Sequence, residues 1–582
     1  MRMLPRQNSN LTKAHSELNQ SRFKSALKYA KRAEGDEPKS PVAPNLMGIS
    51  LSALGRPNEA INAFRRALRL NGNYDDARRN LAQTYLLTGQ AEIAVNHLTK
   101  IQGASEATLY IIAQAFAALN KKAEGLKAAS DYIELKPTDK RGYKLRAHLC
   151  MQFGLISDAI KDYERALELD PKDDETLTLA SLPLARHLRT EDSREFILKA
   201  LEVNPHNLTA QLRLASQYAE SGQKDLSVAR YYEILSAIPN QATVIKSLSE
   251  ILRGDDLCAL EKTASEAMKT VVKGSEDEAS LLFARANIRT ANGQRERADE
   301  DIKKANKFYA RRSPYNFEAE ERLTTKILAR FASPITAETA GKICPSPIFI
   351  VGLPRSGTTL VEAMLGIHEK VVPFGERGTL GFLLEETISE ELPLDAKSIA
   401  TLRHEDLRLM PSVPDEAHFY VDKMPENYRI IGFLKSIYPE CSIIHVRRDP
   451  RDIAVSMFRA HFSGGALNYT YDMQAMGHHF NLYARTMKHW HKIFPDQILD
   501  VHYEQLVKNI TLEGQLVADF CGLEWVDEMS YPDRTKSQVL TMSANQLRQP
   551  VHTKSIGNWR QHKSLLEPFL RVLNTDDWEL GP

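Results

Sequence analysis

Between residues 352 and 360 the chain reads Gly-Leu-Pro-Arg-Ser-Gly-Thr-Thr-Leu. Gly352 and Gly357 bracket a loop of Pro354, Arg355 and Ser356 that runs on into Thr358 and Thr359. Hydroxyls, a guanidinium and backbone amides left open by glycine are the groups that cradle an anion, and a helix starting at such a loop adds its own N-terminal amides. The glycine spacing is that of a nucleoside-triphosphate loop, where a lysine follows the second glycine and reaches the terminal phosphates. Thr358 holds that position here, which argues against ATP or GTP, and Arg355 inside the loop points to a different terminal anion. Further along, Arg448 and Ser456 stand eight residues apart in His-Val-Arg-Arg-Asp-Pro-Arg-Asp-Ile-Ala-Val-Ser. An arginine at a strand end and a serine on the next helix can grip one phosphate together. Two separated anion sites suit a nucleotide phosphorylated at both ends of its ribose.

The elements that must position these groups are legible around them. Ile348-Phe-Ile-Val351 is a short apolar run, read as a buried strand leading into the loop, and Val361–Leu365 reads as the helix beyond it. Phe419–Asp422, Ser442–Arg447 and Ile498–His502 read as further strands, each followed by a helical stretch. Such alternation predicts a parallel sheet with helices on both faces, and ligands that bind beyond the carboxyl ends of the strands.

The first half is periodic. Pro137, Pro171, Pro205 and Pro239 follow one another at intervals of 34 residues, Gly55 and Gly89 share that step, and so do Asn120 and Gly154. Each unit has two amphipathic stretches, the first stopped by glycine or asparagine and the second ending before proline, with small residues such as Ala159 and Ala166 where helices approach. This resembles the tetratricopeptide repeat over roughly residues 10–310, a helix–turn–helix unit of that period. A lone helix pair cannot bury its apolar face, whereas stacked pairs form a superhelix with a concave surface. The expected organisation is an all-α repeat superhelix over 1–312, a connector with one helix over 313–344, and a P-loop-like parallel α/β domain over 345–582.

The loop and the Arg448…Ser456 pair, in that order and each after a strand, resemble the sulfotransferase family. The resemblance covers roughly 345–570 and implies 3′-phosphoadenosine 5′-phosphosulfate (PAPS) as donor and 3′-phosphoadenosine 5′-phosphate (PAP) as product. It places Pro354, Arg355, Ser356, Gly357, Thr358 and Thr359 at the 5′-phosphosulfate and Arg448 with Ser456 at the 3′-phosphate. Within the family the motifs are most similar to the tyrosylprotein type. Glu376 in Gly-Glu resembles its catalytic carboxylate, and Lys423 in Asp-Lys-Met-Pro its transition-state lysine, with Arg355 as a second cation. Tyr503 in Val-His-Tyr-Glu, Ser543 in Ser-Ala-Asn-Gln and Lys554 in Thr-Lys-Ser-Ile-Gly-Asn-Trp resemble residues that approach or cover the nucleotide. Arg377 and Gly378 depart from that group's pattern, and bacterial proteins joining repeats to a sulfotransferase domain are the better overall likeness.

The resemblance implies an enzyme that passes a sulfuryl group to an acceptor hydroxyl, with Glu376 as base. His368, His445 and His502 compete for that role. The acceptor is open among a protein tyrosine, a sugar, a lipid and a small phenol, and the repeat groove is expected to bind a protein or peptide. The alternative is a repeat adaptor whose sulfotransferase half is degenerate. A net charge of +1 gives no global field for nucleic acid or membrane. No apolar run is long enough for a membrane span, and the N-terminus lacks a signal-peptide core. Cys150, Cys258, Cys344, Cys441 and Cys521 lie far apart, without disulfide-framework or metal-ligand spacing. A cytoplasmic protein that needs no metal is the expectation, its oligomeric state open.

Overall fold

The computed structural model describes residues 9–103, 105–335, 343–389, 392–462, 467–535, 538, 540, 544–578 and 580. It divides into two compact units, Met1–Thr176 and Leu177–Pro582.

The first unit is a run of paired helices, among them Val42–Ala53 with Pro57–Leu70 and Lys140–Gln152 with Ile156–Leu169. Its seams are built from alanine: Ala26, Ala30, Ala60, Ala63 and Ala67 are fully buried. At Gly48 a Cβ would meet the Phe64 ring at 2.4 Å, so glycine is what lets the ring in. The turn between paired helices needs one residue with positive φ. Ser21, Gly55, Gly89, Asn120 and Gly154 fill that position, with φ between 56° and 75°. A non-glycine residue pays about 1–2 kcal/mol for this conformation, which is why glycine and asparagine mark the period in sequence.

In the second unit the repeats continue through Arg295–Arg312, and the same turn position falls on Leu188 and Gly222. A further helix, Phe317–Arg330, leads to the sheet. Five parallel strands, β1 (Ser346–Gly352), β2 (Val371–Pro373), β3 (Phe419–Asp422), β4 (Ser442–Arg447) and β5 (Ile498–His502), lie in the order β2-β3-β1-β4-β5. Each expected strand is present, and β2 is an additional edge strand. β1 is central, and its neighbours β3 and β4 are reached by connections running to opposite sides. The crevice beyond the carboxyl ends of β1 and β4 is therefore the topological switch point where such sheets bind ligands.

Strand alternation sends Ile348 and Ile350 to one face of the sheet and Phe349 and Val351 to the other. The second face shares one continuous core with Phe283, Ile302 and Tyr309 of the last repeats and Phe331 of the connector. Polar contacts run along the same seam. Asn306 donates to the Phe458 carbonyl at 2.7 Å, and Asp299 binds both Arg459 (2.8 Å) and His562 (3.0 Å). The repeats from residue 177 onward and the sheet thus form one packed body.

Candidate anion-binding and transfer site

β1 ends in the loop, and the helix Thr358–Leu365 starts at it. The backbone here is unusual at three successive points, with φ of +152° at Gly352, +71° at Arg355 and +112° at Gly357. Neither glycine has room for a side chain. A Cβ at Gly352 would lie 2.7 Å from the Val446 carbonyl oxygen, and one at Gly357 2.5 Å from the Tyr503 ring. The turn faces the helix amides toward the crevice, and the buried Ser356 hydroxyl has no hydrogen-bond partner among the described residues. A buried orphan hydroxyl beside a helix N-terminus is a donor waiting for an oxygen.

Two guanidiniums meet above this loop. Arg355 donates from Nε to Ser456 Oγ at 3.0 Å and from Nη2 to Gln546 Oε1 at 2.7 Å. Arg448 donates to the carbonyl oxygens of Arg355 (3.0 Å) and Ser555 (2.9 Å), and its buried Nε has no acceptor among the described residues. Its guanidinium lies 4.4 Å from the centre of the Tyr503 ring, whose hydroxyl is 2.7 Å from Ser555 Oγ. Burial, and then the like charge of Arg448, push the Arg355 guanidinium down to about 10. Like charges held this close are costly unless an anion joins them.

On the other side of β1, Lys423 is completely buried at the end of β3. Its Nζ donates to Glu376 Oε1 at 2.6 Å and lies 3.9 Å from Glu362 Oε2. Glu376 is half-exposed, so the pair reaches from the interior to solvent. Glu362, on the helix after the loop, accepts the Gly375 amide at 2.9 Å and so fixes the turn that presents Glu376. Burial raises the Glu362 carboxyl to about 7. Beneath lies a second buried network. Arg377 pairs with Asp406 at 2.8 Å, Tyr438 donates to the same carboxylate at 2.6 Å, and burial pushes Asp422 up to about 8. Arg377, a departure from the family pattern in sequence, is thus an internal ion-pair partner rather than a solvent-facing group.

The sequence-derived residues fall as follows. Pro354 is buried in the loop, and Arg355, Ser456, Arg448 and Tyr503 form one connected cluster with it. Lys554 is exposed beside Ser555, and Ser543 lies outside the described residues. The loop after Lys554 is tied down by Asp452, which accepts the Gly557 amide at 2.6 Å and the Trp559 amide at 2.8 Å. His368 accepts the Lys370 amide on Nδ1, and His445 is engaged with Asp500 and Tyr483. Glu362, Asp452 and Gln546 were not singled out as site residues from sequence. Asp452 and Gln546 stood within quoted motifs and Glu362 within the helix read after the loop, but none of the three was assigned a role. No helix among the described residues is long and apolar enough to cross a membrane.

A parallel α/β domain with a glycine-bounded anion cradle after its central strand, preceded by helical repeats, is the class of protein these features define. Residues 347–527 match the model of the sulfotransferase family, and residues 51–105 and 141–173 match tetratricopeptide-repeat models. The chain joins tetratricopeptide repeats to a domain of the sulfotransferase family. A protein of Aquifex aeolicus (strain VF5) is 24% identical over 445 residues, 73% of this chain and 58% of that protein. Protein-tyrosine sulfotransferase 2 of Gallus gallus is 24% identical over 249 residues, 37% of this chain and 63% of that protein. Protein-tyrosine sulfotransferase 1 of Danio rerio is 24% identical over 262 residues, 39% of this chain and 72% of that protein.

Proposed function

We propose that the protein transfers a sulfuryl group from PAPS to an acceptor hydroxyl, a protein tyrosine being the acceptor class the relatives suggest. The observation that carries this reading is the pairing of two cation sets across one cradle: Arg355 with Arg448 on the β4 side, and Lys423 with Glu376 on the β3 side. The loop amides, Ser356, Thr358 and Thr359 hold the 5′-phosphate group of the donor. Arg448 and Ser456 hold the 3′-phosphate, with Tyr503 and the loop at Lys554 closing beside them. Ser356 Oγ and Arg448 Nε, both buried without acceptors among the described residues, fit these roles.

In the transfer step the acceptor oxygen bonds to sulfur while the sulfur bond to the bridging oxygen of the 5′-phosphate breaks. The acceptor proton passes to the Glu376 carboxylate. Lys423 and Arg355 meet the charge that develops on the departing oxygen, as preorganised cations that need no rearrangement at the moment of reaction. The repeat array recruits the protein acceptor. Incubation with PAPS labelled in its sulfuryl group and tyrosine-containing acceptors should yield labelled product and PAP. A protein that binds neither PAPS nor PAP sinks the reading.

A further inference from the structure

Beside the β4–β5 edge is a group that chain spacing does not reveal. His445 on β4 and Asp500 on β5 are register partners, and His491 comes from the last turn of the helix Met473–Ile493. His445 Nδ1 lies 2.7 Å and His491 Nε2 3.1 Å from the same oxygen, Asp500 Oδ1, and all three ligand atoms fall within 4.8 Å of one another. We infer that His445, His491 and Asp500 form a binding site for a divalent first-row transition ion, at the wall of the cleft between β4, β5 and Trp559.

Four observations support the site. Two imidazoles and one carboxylate are the donor set that suits Zn2+ or Fe2+ and discriminates against Mg2+ and Ca2+. Ligand atoms around a tetrahedral ion with bonds of about 2.0–2.1 Å stand about 3.3 Å apart; the two nitrogen–oxygen spacings of 2.7 and 3.1 Å are close to that, and the two imidazole nitrogens lie within 4.8 Å of each other. His491 Nε2 is buried with no hydrogen-bond partner among the described residues, although it lies 3.1 Å from the shared carboxylate oxygen. The groups behind the ligands are also those a metal site requires. The other nitrogen of His445 meets the Tyr483 hydroxyl, which can accept Nε2–H and so leave the Nδ1 lone pair for an ion, and Arg447 holds the second oxygen of Asp500 at 3.1 Å.

Three protein ligands leave a further position open, and it faces a cleft of about 710 Å3 also lined by His502, Lys508, Trp559 and Trp578. The ion would tie the β4–β5 edge to the helix that carries His491. It stands apart from the Lys423–Glu376 pair, which lies on the β3 side of the sheet.

The test uses the full chain, stripped with a chelator and titrated anaerobically with Co2+ as spectroscopic probe, then with Zn2+ and Fe2+. The expected result is one equivalent of Co2+ with the visible absorption of a four- or five-coordinate site, displaced by whichever native ion binds tighter. Elemental analysis of the protein as purified then tells zinc from iron. His491→Gln and Asp500→Asn should each abolish stoichiometric binding, Tyr483→Phe should weaken it about 10- to 100-fold, and His404→Ala, at an exposed histidine, should leave it intact. Unchanged PAP affinity in His491→Gln shows that the variant is folded. Absence of a stoichiometric Co2+ complex in the wild type overturns the inference and leaves a hydrogen-bonded ion network only. Equal binding by wild type, His491→Gln and Asp500→Asn overturns it equally.

Discussion

Replacing Arg448 by alanine separates the two proposed phosphate sites, because only one of its three kinds of donor is idle among the described residues. Two terminal nitrogens are engaged by the carbonyl oxygens of Arg355 and Ser555, at 3.0 and 2.9 Å. Nε is buried without an acceptor among the described residues. A charge-assisted hydrogen bond from that nitrogen to a 3′-phosphate contributes about 1.5–3 kcal/mol, or about 10- to 160-fold in affinity. Losing the two carbonyl contacts loosens the Ser555 loop as well, and that penalty falls on any nucleotide. The ratio of affinities for PAP and for adenosine 5′-phosphate, which lacks the 3′-phosphate, cancels the shared penalty. Titration calorimetry on wild type and Arg448→Ala should therefore show the preference for PAP shrinking by about 10- to 160-fold. Arg448→Lys should recover little of it, since an ammonium cannot hold both carbonyls and the phosphate from one plane. An unchanged ratio would refute the assignment and reduce Arg448 to a brace for the loop.

Lys423→Met should lower kcat about 10²–10³-fold while PAP affinity is retained, because the lysine meets charge that exists only in the transition state; an equal loss in PAP binding would place it in ground-state recognition instead. Gly357→Ala combines a φ of +112° with a Cβ 2.5 Å from the Tyr503 ring, for a cost of about 2–5 kcal/mol. Thermal unfolding reads this directly, with Gly381→Ala, where a Cβ meets nothing within 4 Å, as the neutral control. Glu362 binds its proton more tightly folded, at about 7, than at its usual 4.5. Its contribution to stability is therefore favourable at low pH and is lost as pH rises through that window, by about 3 kcal/mol. Glu362→Gln should flatten the fall in stability between pH 5 and 7, and an unaltered slope would show that the proton resides elsewhere.

Where the sequence was informative, one residue type had one physical use. The loop was legible because glycine at 352 and 357 answers to steric space that no other residue leaves. The repeat was legible because positive φ selects glycine or asparagine every 34 residues. The same rule lapses at Ser21 and Leu188, which take the conformation without the favoured residue. β2 escaped because three residues, Val371–Pro373, are too short for a period of two to register. Glu362 escaped because its role depends on Lys423 and Gly375, which approach it only through the sheet. His445, His491 and Asp500 sit on three different elements, so no spacing along the chain could gather them. The repeat period runs to about residue 310, whereas packing divides the chain after Thr176. Periodicity records how helices turn, and packing records which faces they share.

Gln538, Gln546 and Arg548 are held from two directions. Gln546 accepts from Arg355 in the cradle. On either side of it, Gln538 donates to Glu220 at 2.6 Å and is 3.2 Å from the Thr190 hydroxyl, while Arg548 donates to the Glu220 carbonyl at 3.3 Å and packs over Gly222. Thr190, Glu220 and Gly222 belong to the repeats. Any donor whose terminal anion takes over Arg355 competes with the Gln546 contact, and any displacement of the repeats around 190–222 shifts the same residues. Linkage then makes the two events mutual: what binds the repeats in one arrangement changes nucleotide affinity, and the nucleotide changes that binding by the same factor. Under the proposed donor assignment, the repeats from 177 onward brace the residues that Arg355 contacts, which a tethered recruiting arm would not do.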